Sequence, residues 1–310
     1  ADLRATHRMA FVLNASGQRW RAARYLFRLL EKGDIGADEL VLLGNRHIAV
    51  SLPVPPEIDA RQENVDAYVV LAIAKRAVSE QQWGEALTLL RELIVNRPEL
   101  VEAHVQLGIV LQEIAKLEKR IAWQAALPAD ANRHPDIWVL RGNLLQHQDH
   151  IEVAARCYGE ALRLEPNHRQ ANYLLGQVLT SLGRGEDAAP FLARAEKVRQ
   201  LEQLLLDIYL APHGHENAEL CQQAAELCRD VGRYWESLAW TDRAAEIVPD
   251  AEWIAPLRDE LQEKLAKIPP RTDRQATPLA NLDLDEFPLP EVNTEMIAEA
   301  VSAISPQTPI

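Results

Sequence analysis

Three glycines, Gly108, Gly142 and Gly176, stand 34 residues apart, and around each of them a pattern of small and large residues returns at that interval. The fullest copy runs from Asp136 to Arg169 and places Trp138, Gly142, Leu145, Ala154, Tyr158, Ala161 and Pro166 in order; one interval on, Ala154 is matched by Ala188 and Tyr158 by Leu192. A fixed period of this length constrains the fold more than any single motif. Each copy is one small supersecondary unit that leaves an apolar face bare, so its stability requires neighbours stacked against it. The spacing within a copy predicts two antiparallel helices. Small residues at its eighth and twentieth positions let the helices approach, and larger ones at the seventh, eleventh and twenty-fourth fill the seam and the gap to the next copy. The expected fold is all-α, a solenoid of helical hairpins.

Composition agrees. Ala, Leu, Glu and Arg are abundant, aromatics are few and only 13 residues are Gly, which favours helix throughout. A repeat array grows along one axis, so 310 residues need not divide into domains and one continuous array is expected. The net charge of -13 and pI near 5.2 argue against nucleic acid and anionic membrane as partners, since both need a basic face. No apolar run reaches the roughly 18 residues of a membrane span, so direct membrane insertion is not expected. Cys221 and Cys228 are seven apart on a predicted helix, about 10 Å, beyond the ~7 Å that a disulfide allows. With Cys157 they are expected to be small core residues.

In chain order, residues 1–50 read as an N-terminal helical hairpin plus an extra helix from Asp38 to Val50, and 51–66 as a Pro-rich loop (SLPVPPEID) leading into the array. The array spans 67–251, with copies beginning at Ala67, Val101, Pro135 and Arg169, a long helix near 186–210, and a fifth hairpin from about Ala218. The second copy departs from the pattern at Arg120, Gln124 and Leu127, so its second helix is expected to be displaced. Trp20, Trp83 and Trp235 follow hairpin turns and are expected to pack. Residues 252–268 read as a polar capping helix and 269–310 as a Pro-rich acidic tail, with at most a short helix between Asn293 and Ile304.

Motifs of catalysis are missing from the sequence: there is no phosphate-binding glycine loop, no nucleophile elbow and no H-E-x-x-H helix. The paired histidines His147/His150 and His213/His215 lack a third ligand fixed by spacing. No catalytic residue, cofactor or metal is expected, and the chain reads as a non-enzyme.

The order Trp138, Gly142, Leu145, Ala154, Tyr158, Ala161, Pro166 resembles the tetratricopeptide repeat, over about Leu3 to Pro249 and most completely from Ala67 to Gln200. The resemblance implies a right-handed superhelix whose first helices line a concave groove and contact ligands from their second, fifth, ninth and twelfth positions. Those positions include Tyr68, Leu71 and Lys75, Val105 and Gln112, Val139, Asn143 and Gln146, and Tyr173 and Gln177. Lys75 is the only basic residue among them in the four central copies, which argues against the family's carboxylate clamp of Lys, Asn and Arg. Asn143, Gln146 and Gln177 beside Tyr173, with Tyr68, suit the backbone amides of an extended peptide instead. The implied function is a scaffold for a protein or extended peptide; the alternatives are a self-assembling structural subunit, or the recruiting arm of a larger protein.

The tail carries a second pattern, Leu282-Asp-Leu-Asp-Glu-Phe-Pro-Leu-Pro290. It resembles the junction in large bacterial proteins where a tetratricopeptide arm precedes an FG-GAP and ASPIC/UnbV β-propeller, which implies an envelope or exported location; without that likeness a cytoplasmic one is expected. Leu282, Leu284, Phe287 and Leu289 are spaced apolar anchors on an acidic, Pro-rich strand. Such a strand cannot build a core of its own but can dock along a preformed surface.

Overall fold

The computed structural model describes residues 2–15, 18–45, 48, 65–266 and 277–290. Most of the Pro-rich entry, the spacer after 266, the side chain of Trp20 and the short helix expected between Asn293 and Ile304 lie outside the described residues. Among those described the protein is all-α, without a strand. Its helices are α1 (Leu3–Ala15), α2 (Arg19–Glu31), α3 (Ala37–Gly44), α4 (Ala67–Ser79), α5 (Trp83–Asn96), α6 (Val101–Ile114), α7 (Leu117–Ala125), α8 (Pro135–His147), α9 (Ile151–Leu164), α10 (Arg169–Ser181), α11 (Gly185–Leu210), α12 (Ala218–Asp230), α13 (Tyr234–Ile247) and α14 (Ile254–Leu265). They fall into two compact units, one formed by Pro53–Phe191 with Leu282–Ile310 and the other by Ala1–Leu52 with Leu192–Asn281.

In the first of these units α4, α6, α8 and α10 start at the four frame positions read from the sequence. Local chemistry fixes several of those starts. Asp66 accepts the Tyr68 N–H at the head of α4, and His168 accepts the Ala171 N–H at the head of α10. The other ring nitrogen of His168 lies 2.9 Å from Asp136 Oδ1 in the first turn of α8, which ties the starts of adjacent first helices together. Pro135 opens α8, where a missing N–H is already without an intrahelical partner. The turns repeat too. Gln81, Asp149 and Gly183, each at the fifteenth position of its copy, have φ of 59°, 64° and 76°. A left-handed residue there reverses the chain in three residues.

The second copy has Ala115 at that position, and its backbone is extended (φ -106°, ψ 147°). A left-handed Ala carries its Cβ against the carbonyl at a cost of about 1–2 kcal/mol. Instead α6 runs one residue longer, only Ala115 and Lys116 connect it to α7, and α7 is cut to 9 residues with a 3-10 turn, Ala129–Arg133, after it. The displacement expected from Arg120, Gln124 and Leu127 is visible in the seam. Trp123, one position ahead of Tyr158 in the frame, covers Gly108 and donates its indole N–H to the His104 carbonyl at 2.9 Å.

Tyr158 covers Gly142 in the third copy. A Cβ on Gly142 would overlap the phenol ring, so the missing side chain is what lets α8 and α9 cross this closely.

The other unit joins distant parts of the sequence. Leu26, Leu30, Leu40–Leu43, Leu201, Leu205, Ala224, Ala225, Trp240 and Leu261 share one core, in which α2 and α3 pack against α13, α3 meets the later part of α11 at Leu205, and α12 packs on α13. The expected separate N-terminal block offset from one continuous 67–251 array does not describe this packing. Nor does α3 continue to Val50: the chain leaves the helix at Asn45 (φ -113°, ψ 111°), whose side-chain amide donates to the Glu202 carbonyl at 2.6 Å. In the fifth hairpin Ser237 donates its hydroxyl to the Ala225 carbonyl at 2.7 Å, closing the same small-residue crossing by a hydrogen bond. The capping helix α14 buries Ile254, Leu257, Leu261 and Leu265 on one stripe and presents Asp259 and Glu263 outward. The long helix α11 tolerates Pro190 because the Glu186 carbonyl it leaves unpaired is at the exposed start of the helix.

Two predictions test these assignments. Gly142→Leu is expected to lower stability by about 1–3 kcal/mol or more through overpacking against Tyr158, whereas Gly185→Leu, whose added Cβ meets nothing within 4 Å, should change it by under ~0.5 kcal/mol; urea unfolding measures both. The second concerns His7, which lies 2.8 Å from Glu39 and 3.2 Å from Asp34. Its hydrogen bond to Glu39, then that to Asp34, raise the imidazole pKa above 6.5, against the lowering effect of burial. A raised folded value means the contribution is whole below the unfolded pKa and is lost as pH rises through the folded one. His7→Gln should therefore destabilise more at about pH 5.5 than at about pH 8.5, measured as the difference in Tm from the unaltered chain.

Candidate functional site

Four first helices, α4, α6, α8 and α10, carry the positions singled out from the sequence, and the structure sorts them into three groups, with Tyr68 and Lys75 apart. Leu71, Val105 and Val139, at the fifth position of the first three copies, are core residues with exposures of 0%, 4% and 2%. They correct the expectation that this position faces a ligand. Apolar side chains there fill the space between a copy and its neighbour; in the fourth copy the same position holds Tyr173, which is 49% exposed.

Asn143 and Gln146 form the second group. They are half-buried and joined through Tyr158, whose hydroxyl lies 2.9 Å from Asn143 Oδ1 and 2.8 Å from Gln146 Oε1. Asn143 donates its amide to Gln112 on α6 at 2.8 Å. A hydroxyl has one hydrogen to donate, so the two amide oxygens share it. This cluster links α6, α8 and α9 from the seam outward. Burial raises the Tyr158 pKa well above its ordinary value, so the phenol stays protonated as a donor.

Tyr173 and Gln177 form the third group, an exposed pair on α10 in which the Gln177 amide donates to the Tyr173 hydroxyl at 2.8 Å. Tyr68 and Lys75 are half-buried on α4.

The tail residues sit elsewhere, on the second-helix side. Leu282, Leu284 and Phe287 are 7%, 2% and 4% exposed, and Leu289 is 55% exposed. Leu284 lies directly over Gly159 of α9, where any Cβ would overlap its side chain. Arg156, itself buried, turns one guanidinium nitrogen to three oxygens of the segment: the Leu284 carbonyl at 2.7 Å, Asp285 Oδ1 at 3.0 Å and the Phe287 carbonyl at 3.2 Å. Its Nε donates to Glu160 at 2.7 Å, which holds the guanidinium in place from within α9. Arg184 pairs with Glu286 at 2.7 Å and lies 5.3 Å from the centre of the Phe287 ring. Asp283 accepts the Asp285 N–H, forming the 3-10 turn Leu284–Glu286 that presents both apolar side chains to the helix.

Arg156, Gly159 and Arg184 were not identified from the sequence. A signal was there. Gly159 sits in the middle of α9, away from the turn and from the eighth and twentieth positions, where Gly costs about 0.5–1 kcal/mol relative to Ala. A helix that keeps such a residue without need of it in the hairpin invites the question of what lies over it.

Among the described residues no group of three metal-ligating side chains gathers, and no helix is long and apolar enough to cross a membrane. Burial pushes the Cys157 thiol up to about 12 and that of Cys221 to about 11, values of inert core thiols.

Known proteins share part of this pattern. Residues 139–201 match the family described as "Tetratricopeptide repeat". No curated protein matches the sequence. Among solved structures, TTC0263, a thermophilic TPR protein of Thermus thermophilus, is 18% identical and covers 65% of this chain and 100% of its own, with a TM-score of 0.39. MamA is 15% identical over 65% of this chain and 94% of its own, with a TM-score of 0.36. Similarity at this level transfers nothing about what those proteins do. The family match places a tetratricopeptide repeat at residues 139–201, within the 34-residue hairpin frame that α4 to α11 follow.

The polar cluster yields a prediction about stability. Asn143→Ala strips partners from Tyr158 and Gln112 and should cost about 1–3 kcal/mol, while Gln177→Ala, on an exposed pair, should cost under ~0.5 kcal/mol. Denaturant unfolding of the two variants measures the contrast.

Proposed function

We propose that this protein is a non-enzymatic interaction scaffold that takes an extended peptide of a protein partner along the exposed faces of α4, α6, α8 and α10. Tetratricopeptide repeats are in general protein-interaction modules, and the particular mode follows from the side chains of this chain. The observation that carries it is the Tyr173–Gln177 pair, exposed on α10, with Tyr173 at the position where the three earlier copies hold core residues and Gln177 at the one where the third copy holds Asn143 of the amide cluster. An exposed phenol with an amide beside it offers an apolar surface together with a donor and an acceptor, the set needed to hold peptide backbone without requiring a charge on the ligand. Gln146, Tyr68 and Lys75 extend that path, Lys75 supplying its one cation. Asn143 acts from beneath, holding Tyr158 and Gln112 in place.

The net charge of -13 favours a neutral or basic partner segment and disfavours nucleic acid. Selection of peptides from a displayed random library against the whole chain, followed by titration, tests the reading. The double variant Tyr173→Ala/Gln177→Ala should keep the helical circular dichroism of the unaltered chain and lose about tenfold or more in affinity for the selected peptides. Equal affinity in that variant would move the binding surface off α10 and overturn the proposal.

A further inference from the structure

The face of α9 under the tail has the properties of a receptor and its cover those of a ligand. The covering residues 282–287 are a short segment without a core of its own, with Leu282, Leu284 and Phe287 buried, Leu284 over Gly159 of α9, and the segment bonded to Arg156 and Arg184. The contacts read three separate things. Gly159 leaves a depression that only an apolar side chain lying flat can fill, and Leu284 fills it. Arg156 reads backbone, because two of the three oxygens it reaches are carbonyls, and its Nε is held by Glu160 of the same helix rather than by the segment. Arg184, fixed by Asp187 at 2.7 Å, reads an acidic residue and an aromatic ring next to each other. A site whose two cations are held by carboxylates three or four residues along their own chain, Glu160 and Asp187, is preorganised, which lowers the entropic cost of docking a flexible segment.

From this geometry we infer that the α9 face is a second peptide-binding site, selective for an acidic segment with leucines two residues apart and an aromatic three residues after the second. Residues 282–287 are its resident ligand in cis and keep it closed until a partner segment of the same chemistry displaces them. The site is separate from the first-helix face and does not depend on the reading given for it.

The test uses a fluorescein-labelled peptide of residues 281–290, NLDLDEFPLP, titrated by anisotropy against full-length chains. The unaltered chain should bind it weakly, because its own segment competes at the millimolar-scale effective concentration of a tethered ligand. The L284D/F287A chain, whose segment can no longer seat, should bind about tenfold or more tightly. Adding Gly159→Gln should remove that gain, and Arg184→Glu, which leaves the hairpin seam untouched, should weaken it if Gly159→Gln disturbs the helices by circular dichroism. A control peptide with Leu284 and Phe287 replaced by Ser should not bind. The proposal is overturned if the L284D/F287A chain fails to bind the peptide, binds it no better than the unaltered chain, or keeps its affinity with Gly159→Gln or Arg184→Glu added. Sedimentation of the unaltered chain should show a monomer; a dimer that disappears in L284D/F287A would place the segment on a second copy and overturn the cis assignment.

Discussion

Where α8 crosses α9, the Tyr158 ring lies on Gly142, and the consequences of that contact run in two directions. Inward, a residue without a side chain brings two helices close enough for Ala154, Ala155 and Ala161 to be fully buried between them and their neighbours. Outward, the same ring carries its hydroxyl to Asn143 and Gln146, and through Asn143 to Gln112 on the preceding first helix. One aromatic therefore fills the seam and positions the amides beside the exposed face. Other hairpins solve the same problem with other residues, Trp123 on Gly108 in the second copy and Ser237 bonded to the Ala225 carbonyl in the fifth.

How much of this could be read in advance depended on whether the determinant was local. Period and helix starts were legible, because they follow from small and large residues at fixed spacing; the caps Asp66 and His168 that fix two of those starts were not read. Turn chemistry was legible in principle at Ala115, whose reluctance to adopt a left-handed backbone accounts for the shortened turn and for Trp123 standing one position early. The association of α2 and α3 with α13 was not legible, since an amphipathic hairpin does not say which bare face will cover it. The candidate groove positions divided for a similar reason. Leu71, Val105 and Val139 belong to the core because stacked copies need apolar side chains there, whereas Tyr173 and Gln177 are exposed on the last first helix of the frame. The apolar tail anchors could be picked out by composition; their seat on Gly159 and Arg156 required coordinates.

The two surfaces differ in what they ask of a ligand. The face carried by Tyr173 and Gln177 is neutral and offers amide and phenol groups, which suits backbone recognition with little demand on ligand charge. The α9 face uses two arginines held by Glu160 and Asp187 and suits an acidic strand with apolar anchors. On a chain with net charge -13 an acidic segment approaches the second against the overall charge and meets the two arginines only at close range. A tethered segment avoids that approach barrier, which is a physical reason for the chain's own tail to occupy the site.

The dependence of the array on the Gly142–Tyr158 contact is most directly measured by a double-mutant cycle of Gly142→Ala and Tyr158→Leu, each alone and both together, followed by denaturant unfolding. If the missing side chain and the ring are complementary, Ala at 142 is harmful beneath the ring and much less so without it, and the coupling should be about 1–3 kcal/mol. Effects that add to within about 0.3–0.5 kcal/mol would show that the two residues act independently and would contradict the account of the hairpin seam.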